Sequence, residues 1–488
     1  MACQYDLSQV VCKLLENHAD VNQGLHDGTS PLYLACQEGH VQIICKLLEN
    51  KADVNKCNAY GVSPLSIACQ EGHLAVVCKM LGHVDNVDID KCDLDGFSPL
   101  HVACQEGYSQ IVSKLLEHNG DVNMCNNDGM SPLYLACQEG HLQVVCTLLE
   151  TGADVNLCNK DGITPLSIAC YEGHLGVVCK LVDYKADVNK TNHDGFSPLQ
   201  IACQENHLQI VCKLIKNNVD INQCSYKGVS PLYIACQHGK LPVVCKLLEH
   251  NVDVNKCDDD GTSALLAACL AIGSESKNIN TLLNILLRND SDCQKHDDCR
   301  KDLTEILNVL IEHTADVNKQ GNDSCTPLIW ACTTGDSEIA TFLMNSAADV
   351  SKCLVEDQSI LKEFDWFGII MEMANLEVKQ YALKSTKEQF YNTIGGCSPL
   401  HMASFMGHVN IIKVFLNRQQ DVNVCKGDGT TPLYIACEVG HTDLVRLLLE
   451  NKANPDIYRK DGKSPFAAAT SNMHTAIITL LRTHKSSL

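Results

Sequence analysis

Apolar residues in the stretch 128–157 fall into two short helical stripes separated by a polar break. Asp128-Gly129 marks a turn. Ser131-Pro132 reads as a helix start, with the hydroxyl as cap and proline at the first helical position. Leu133, Leu135 and Ala136 begin a short apolar helix that Gly140 ends, because glycine enters the left-handed conformation freely. Leu142, Val144, Val145, Leu148 and Leu149 are the stripe of a second helix. Ala153-Asp154-Val155-Asn156 leads as an extended segment into the next turn.

This unit recurs along the chain. Aligning the S/T-P-L triplets gives Pro31, Pro64, Pro99, Pro132, Pro165, Pro198 and Pro231, in steps of 33 residues with a single step of 35. Ala264 takes the proline slot next, and Pro327, Pro399, Pro432 and Pro465 follow at steps of 63, 72, 33 and 33. One helix pair cannot bury both its faces, so neighbouring units must stack into a continuous core. The expected fold is all-α, a solenoid of helix-turn-helix units joined by hairpin-like loops.

The signature SPLYLA, TPLSIA, SPLHVA and TPLYIA, followed by EGHLQVV and ADVN, resembles the ankyrin-repeat family over nearly the whole chain. The resemblance implies a binding module whose hairpin tips and exposed first-helix side carry recognition. It also implies that the signature histidine bridges neighbouring units. Only His101 and His401 keep that histidine; Tyr33, Ser66, Tyr134, Ser167, Gln200 and Tyr233 replace it elsewhere.

The array divides into a partial repeat at 1–26, repeats over 27–269, an insertion at 270–302, a repeat segment at 303–350, a helical insertion at 351–395 and closing repeats at 396–488. The first insertion is expected to hold a helix, Ile279 to Arg288, and to delay the second helix of its repeat until Leu303 to Glu312. The other reads as one or two amphipathic helices, including ILKEFDWFGIIMEMA. These segments either project from the stack or split it into blocks. Met1 aligns with Leu34 of the next copy, so the chain is expected to be a truncated reading that opens inside a first helix.

Composition narrows the function. A formal net charge of -21 repels nucleic acid and anionic membranes, leaving neutral or basic protein surfaces as partners. No apolar run is long enough to span a bilayer, and MACQYDLSQVV lacks the form of a signal peptide. Thirty cysteines without a secretion signal point to reduced thiols in cytoplasm or nucleus.

Those cysteines invite a metal reading, because ACQEGHLQVVC places Cys137, His141 and Cys146 within one unit. A ligand set should come and go together, and this one does not. His408 and His441 persist where the second-helix cysteine has become Lys413 or Arg446, and Lys240 replaces histidine between Cys236 and Cys245. No C-x2-C is present. The first slot, occupied by Ser404 in one late copy, reads as a small core position. Disulfides between equivalent slots are disfavoured, since packed helices lie about 8–10 Å apart and a bridge needs about 4.4–6.8 Å between Cα atoms. Cys293-x2-His296-x2-Cys299 is a separate, weaker metal candidate beside the reading of a polar loop.

Catalytic signatures fail on inspection. Gly462-Lys463-Ser464 ends like a phosphate loop but lacks its leading glycine, where Ile457 stands. Asp93-Leu94-Asp95-Gly96 lacks the terminal ligands of a calcium loop. The chain reads as non-enzymatic, with no cofactor and no metal.

Two surfaces are candidates for a protein partner. Glu71, Glu106, Glu139, Glu172 and Glu205 recur at the end of the first helix, either as a solvated face or as an acidic stripe along a concave surface that receives a basic or extended partner. Phe97, Met130, Ile163, Phe196 and Val229 follow the turn glycines, either as a ridge for contact or packed on the next hairpin. The C-terminal Ser486-Ser487-Leu488 has the S-x-Φ form that PDZ domains capture. The leading expectation is therefore a scaffold or adaptor. The alternatives are a regulatory region of a larger signalling protein, enzyme or channel, and a thiol-rich metal or redox buffer.

Overall fold

The computed structural model describes residues 2–83, 86–274 and 296–487. Among these are 29 helices and no strand, with one isolated bridge between Cys257 and Ser263. Backbone proximity divides the chain into two compact units, 1–226 and 227–488.

Each repeat starts where the sequence places its cap. The hydroxyl of Ser131 accepts the Tyr134 amide at 3.1 Å, and Pro132 occupies the first turn of helix Pro132–Gln138. The same cap opens the helices that follow Ser30, Ser63, Thr164, Ser230, Thr326, Thr431 and Ser464. Each is worth about 1 kcal/mol against alanine. The second helix, Leu142–Glu150, buries Val144, Val145, Leu148 and Leu149. Each such side chain contributes roughly 1.5–3 kcal/mol.

In the first unit, the first helices Pro31–Gln37, Pro64–Gln70, Pro99–Gln105, Pro132–Gln138, Pro165–Glu172 and Pro198–Gln204 stack in order. Three lines of hydrogen bonds tie one repeat to the next. Hairpin tips join through the backbone, as when Lys160 N donates to Asp128 O at 2.9 Å. At the other end of the loop, the Asn156 side chain accepts the Asp187 amide, and Asn123 accepts that of Asp154, both at 2.8 Å.

The third line comes from the histidine that the sequence places only in the turn between helices. His174 Nε2–H donates to Gln138 O at 3.0 Å, and His141 to Gln105 O at 2.9 Å. Each ring lies against the glycine of the preceding repeat: a Cβ added to Gly140, whose φ is +76°, would sit 2.6 Å from the His174 ring. The Gly-His pair thus spans two repeats, with glycine receiving one histidine and its neighbour reaching back to the previous glycine.

The signature histidine does what the resemblance implies at both positions that keep it. His101 Nε2–H donates to Met130 O, and His401 Nε2–H to Thr430 O, each at 3.1 Å. Their Nδ1 atoms face the hydroxyls of Ser98 and Ser398 at 2.8 and 2.7 Å. Gln200 fills the same slot by accepting the Ser197 amide at 2.8 Å.

In the second unit, Pro231–Gln237 packs on Ala264–Ser274, which packs on Pro327–Thr334, and this in turn on Pro399–Met406, Pro432–Val439 and Pro465–Ser471. Both inserted segments therefore leave the stack continuous within this unit. His408 Nε2–H reaches Thr333 O at 3.0 Å across 75 residues of chain. Asn255 accepts the Asp316 amide at 2.8 Å across the other insertion. The second helix of that repeat runs His296–Glu312, starting before the expected Leu303, and Ile279 to Arg288 lies outside the described residues. The segment 351–395 forms four helices, not one or two: Gln358–Glu363, Trp366–Met373, Leu376–Lys384 and Lys387–Ile394. Asp357, Asp365, Asn375 and Thr386 cap them, so each break coincides with a side chain that competes with helix continuation.

Two outcomes follow. Gly140→Ala and Gly152→Ala both place alanine at positive φ, which costs about 1–2 kcal/mol each. Only the former meets a neighbour's ring, since nothing lies within 4 Å of a Cβ at Gly152. Urea unfolding should show Gly140→Ala to be the more destabilising by about 1 kcal/mol or more, from the displaced His174 bond. Equal losses would remove the ring from the account. Burial, aided by nearby Lys426, pushes the His401 pKa down to about 4. Its unfolded value is about 6.5, so its contribution is complete above that pH and is lost as pH falls toward about 4. Thermal melts from pH 7 to pH 4 should show a decline that His401→Gln makes shallower; an unchanged decline would contradict this assignment.

Candidate protein-interaction surface

The glutamate row sits where a short helix ends and its last side chains leave the core. Cys137, one residue before Gln138-Glu139, is fully buried, whereas Glu139 is exposed. Glu71, Glu106 and Glu172 are likewise exposed, while Glu205 is half-buried and accepts from the Gln204 amide at 3.1 Å. The first-helix stacking that seals the cysteines therefore sets these carboxylates in one register along the first unit. Tyr171 replaces glutamine in the row and is 51% exposed.

The residues after the turn glycines are not an exposed ridge. Phe97, Met130, Ile163 and Phe196 are half-buried, and their amides are pinned by the side chains of Asp93, Asn126, Asn159 and Asn192 at 2.8–2.9 Å. Phe97 packs edge-on against His101 of its own repeat, with ring centroids 5.9 Å apart. Val229, in the second unit, is half-buried too.

The exposed apolar side chains of the loops lie instead before the glycine, at the hairpin tips. Tyr60 and Leu94 are each 69% exposed and Tyr226 is 73% exposed. Leu94 N donates to Tyr60 O at 3.1 Å, which sets these two tips side by side. Sequence reasoning passed over them because most repeats carry polar residues at these tip positions, as Asn127-Asp128 and Lys160-Asp161 do. The available signal was apolarity between an Asx or Ser turn residue and the following glycine.

The cysteines separate by depth. First-helix thiols such as Cys36, Cys69, Cys137 and Cys170 are fully buried, and burial pushes their pKa far up. Loop thiols after the V-N pair are wetter, but they donate to a carbonyl two residues back, as Cys425 Sγ–H does to Asn423 O at 3.4 Å. Partial burial and nearby carboxylates also raise the pKa of Cys125, Cys353 and Cys425, which lowers their thiolate fraction. No disulfide and no convergent set of three His, Cys, Asp or Glu side chains fit for a metal occurs among the described residues. Of the Cys293-x2-His296-x2-Cys299 candidate, Cys293 lies outside them, as do the side chains of His296, Cys299 and Ser486 to Leu488.

Ankyrin-repeat profiles match residues 1–91, 76–159, 151–225, 212–297 and 400–487, described as ankyrin repeats in three copies, and residues 298–344, described as ankyrin repeats in many copies. The chain belongs to the ankyrin-repeat family, whose repeats serve generally as protein-interaction modules. No curated protein matches the sequence significantly. No described helix is long and apolar enough to cross a membrane.

Native thiol labelling followed by peptide mapping should modify Cys125, Cys353 and Cys425 first. Cys137 and its first-helix counterparts should react only after unfolding. Labelling of Cys137 as fast as Cys425 would mean that the first-helix slot is open to solvent.

Proposed function

We propose that this chain is a non-enzymatic scaffold that binds a basic, extended protein segment along the first-helix face of its first unit. The observation that carries this reading is the row of exposed glutamates, Glu71, Glu106, Glu139 and Glu172, held at one register by the stack. Tyr171 in the same row is an exposed aromatic anchor, and Tyr60, Leu94 and Tyr226 expose further apolar side chains at the hairpin tips. Aromatic anchors ringed by charge are the usual composition of a recognition patch. The acidic row adds steering and register selection for a basic partner. A net charge of -21 disfavours nucleic acid and anionic lipid as the ligand. The abundance of thiols supports a reducing compartment, cytoplasm or nucleus, for this scaffold.

The reading of a thiol-rich redox buffer has less support, because burial and carboxylates hold back the thiols that such a buffer would use. A larger assembly in which this chain is the regulatory part would use the same face.

Affinity capture of partners by the full chain, followed by the triple reversal Glu106→Lys, Glu139→Lys, Glu172→Lys, tests the proposal. Binding of the captured partner should weaken by roughly tenfold or more at low salt, and the difference should shrink as salt is raised. Circular dichroism should stay unchanged, since all three side chains are exposed. Unaltered affinity at low salt would sink the acidic-face reading.

A further inference from the structure

The end of the first helix is written differently in the second unit. Where the first unit has Gln105-Glu106 or Gln138-Glu139, the repeat headed by Pro399 has Phe405-Met406. These are 0% and 1% exposed. The neighbouring repeats contribute Trp330, 3% exposed, and Val439, which holds the glutamate slot at 2%. Stacking of repeats does not bury this slot by itself, because Glu106 and Glu139 have stacked neighbours on both sides and remain exposed.

What covers the slot is the chain's own segment 358–394. Trp366, 1% exposed, meets Trp330 edge-on at 6.4 Å between ring centroids and donates its Nε1–H to Asp323 at 2.9 Å. Phe390 and Tyr381 approach Phe405 edge-on at 5.7 and 6.0 Å. Asn375 donates to Met406 O at 3.2 Å. From the following hairpin, Lys426 Nζ donates to the carbonyls of Asn392 and Thr393 at 3.0 and 2.8 Å. That places a buried cation at the end of helix Lys387–Ile394, where the helix dipole favours one.

We infer that segment 358–394 is a built-in ligand that permanently closes the first-helix face of the second unit between Trp330 and Val439. The acidic face of the first unit stays open to partners, a corollary that rests on the function proposed above. A displaceable lid requires a groove that water tolerates once it opens. Here opening would bare Trp330, Phe405, Met406 and Val439 together, with Phe390 and Trp366 on the other side. A contiguous apolar surface of that kind is an association hazard. The polar Gln-Glu slot and the apolar Phe-Met slot thus mark two solutions to one position, solvated in one unit and internally occupied in the other.

The test uses the unmodified full chain, whose two tryptophans both lie in this contact. Native emission should be blue-shifted and resistant to acrylamide. By hydrogen exchange, the amides of Trp366–Met373 and Lys387–Ile394 should be as protected as those of Pro399–Met406. Addition of a captured partner should leave that protection unchanged. Acrylamide quenching as strong as in the unfolded chain would overturn the closure. So would insert amides exchanging about tenfold faster than those of Pro399–Met406, or a rise in their exchange on partner binding. If charge reversal on the first unit left binding unaltered, the proposed partner face would fail while these readouts on the wild-type insert stood.

Discussion

The stack depends on an imidazole seated on a glycine. A helix as short as Pro132–Gln138 makes few internal hydrogen bonds and leaves its last carbonyls without helical partners. The ring of the next repeat answers one of those carbonyls, as His174 does for Gln138 O, and it can approach only because Gly140 has no side chain. The same glycine takes the left-handed conformation that ends the helix. One residue thus serves both termination and docking, and its neighbour serves the preceding repeat in the same way. The Asn loops and hairpin-tip bonds then repeat the inter-repeat tie at other heights of the unit. Where histidine is lost the device changes: Tyr108 lays its ring on Gly72, and Asp336 instead caps its own helix while pairing with Arg300.

Such docking fixes what each slot of the first helix can be. The cysteine slot faces the inter-repeat core, so it accepts a small, weakly polar side chain. Ser404 satisfies it by donating to Leu400 O at 2.8 Å. Two residues on, the glutamate slot points away from that core, so its identity is set by whatever lies over the first-helix face. Chemistry on the chain follows from this geometry. Thiols near histidines in sequence are parted in space, with Cys137 sealed between helices and His141 turned back toward Gln105.

Much of this was legible in the sequence because it is written in repeats. The 33-residue step, the S/T-P-L cap and the core cysteines are local rules stated many times over, and the glutamate row follows from their register. The post-glycine apolar row stayed open between ridge and packed side chains because turn geometry in the loop decides its exposure: Asn126 accepts the Met130 amide, and Met130 is half-buried. Lone features were the harder ones. The role of His141 needs the preceding repeat, a contact 36 residues away. The four helices of 358–394 have no internal copy to be read against, so periodicity cannot place their breaks at Asp365, Asn375 and Thr386.

The replacement of Gln-Glu by Phe-Met at residues 405 and 406 was visible as a departure, yet its meaning was not. An apolar pair on a solvated face reads equally as a docking patch for another protein. Only the position of Phe390 and Tyr381 over Phe405 shows that the partner is intramolecular. The constraint then runs both ways. The segment can be inserted at a hairpin because Pro327–Thr334 and Pro399–Met406 still stack as ordinary neighbours, with His408 closing the gap. The stack in turn tolerates Trp330 and Phe405 on its surface because the inserted helices bury them. The apolar slot and the inserted helices thus complete one another: each buries the side chains that the other would expose.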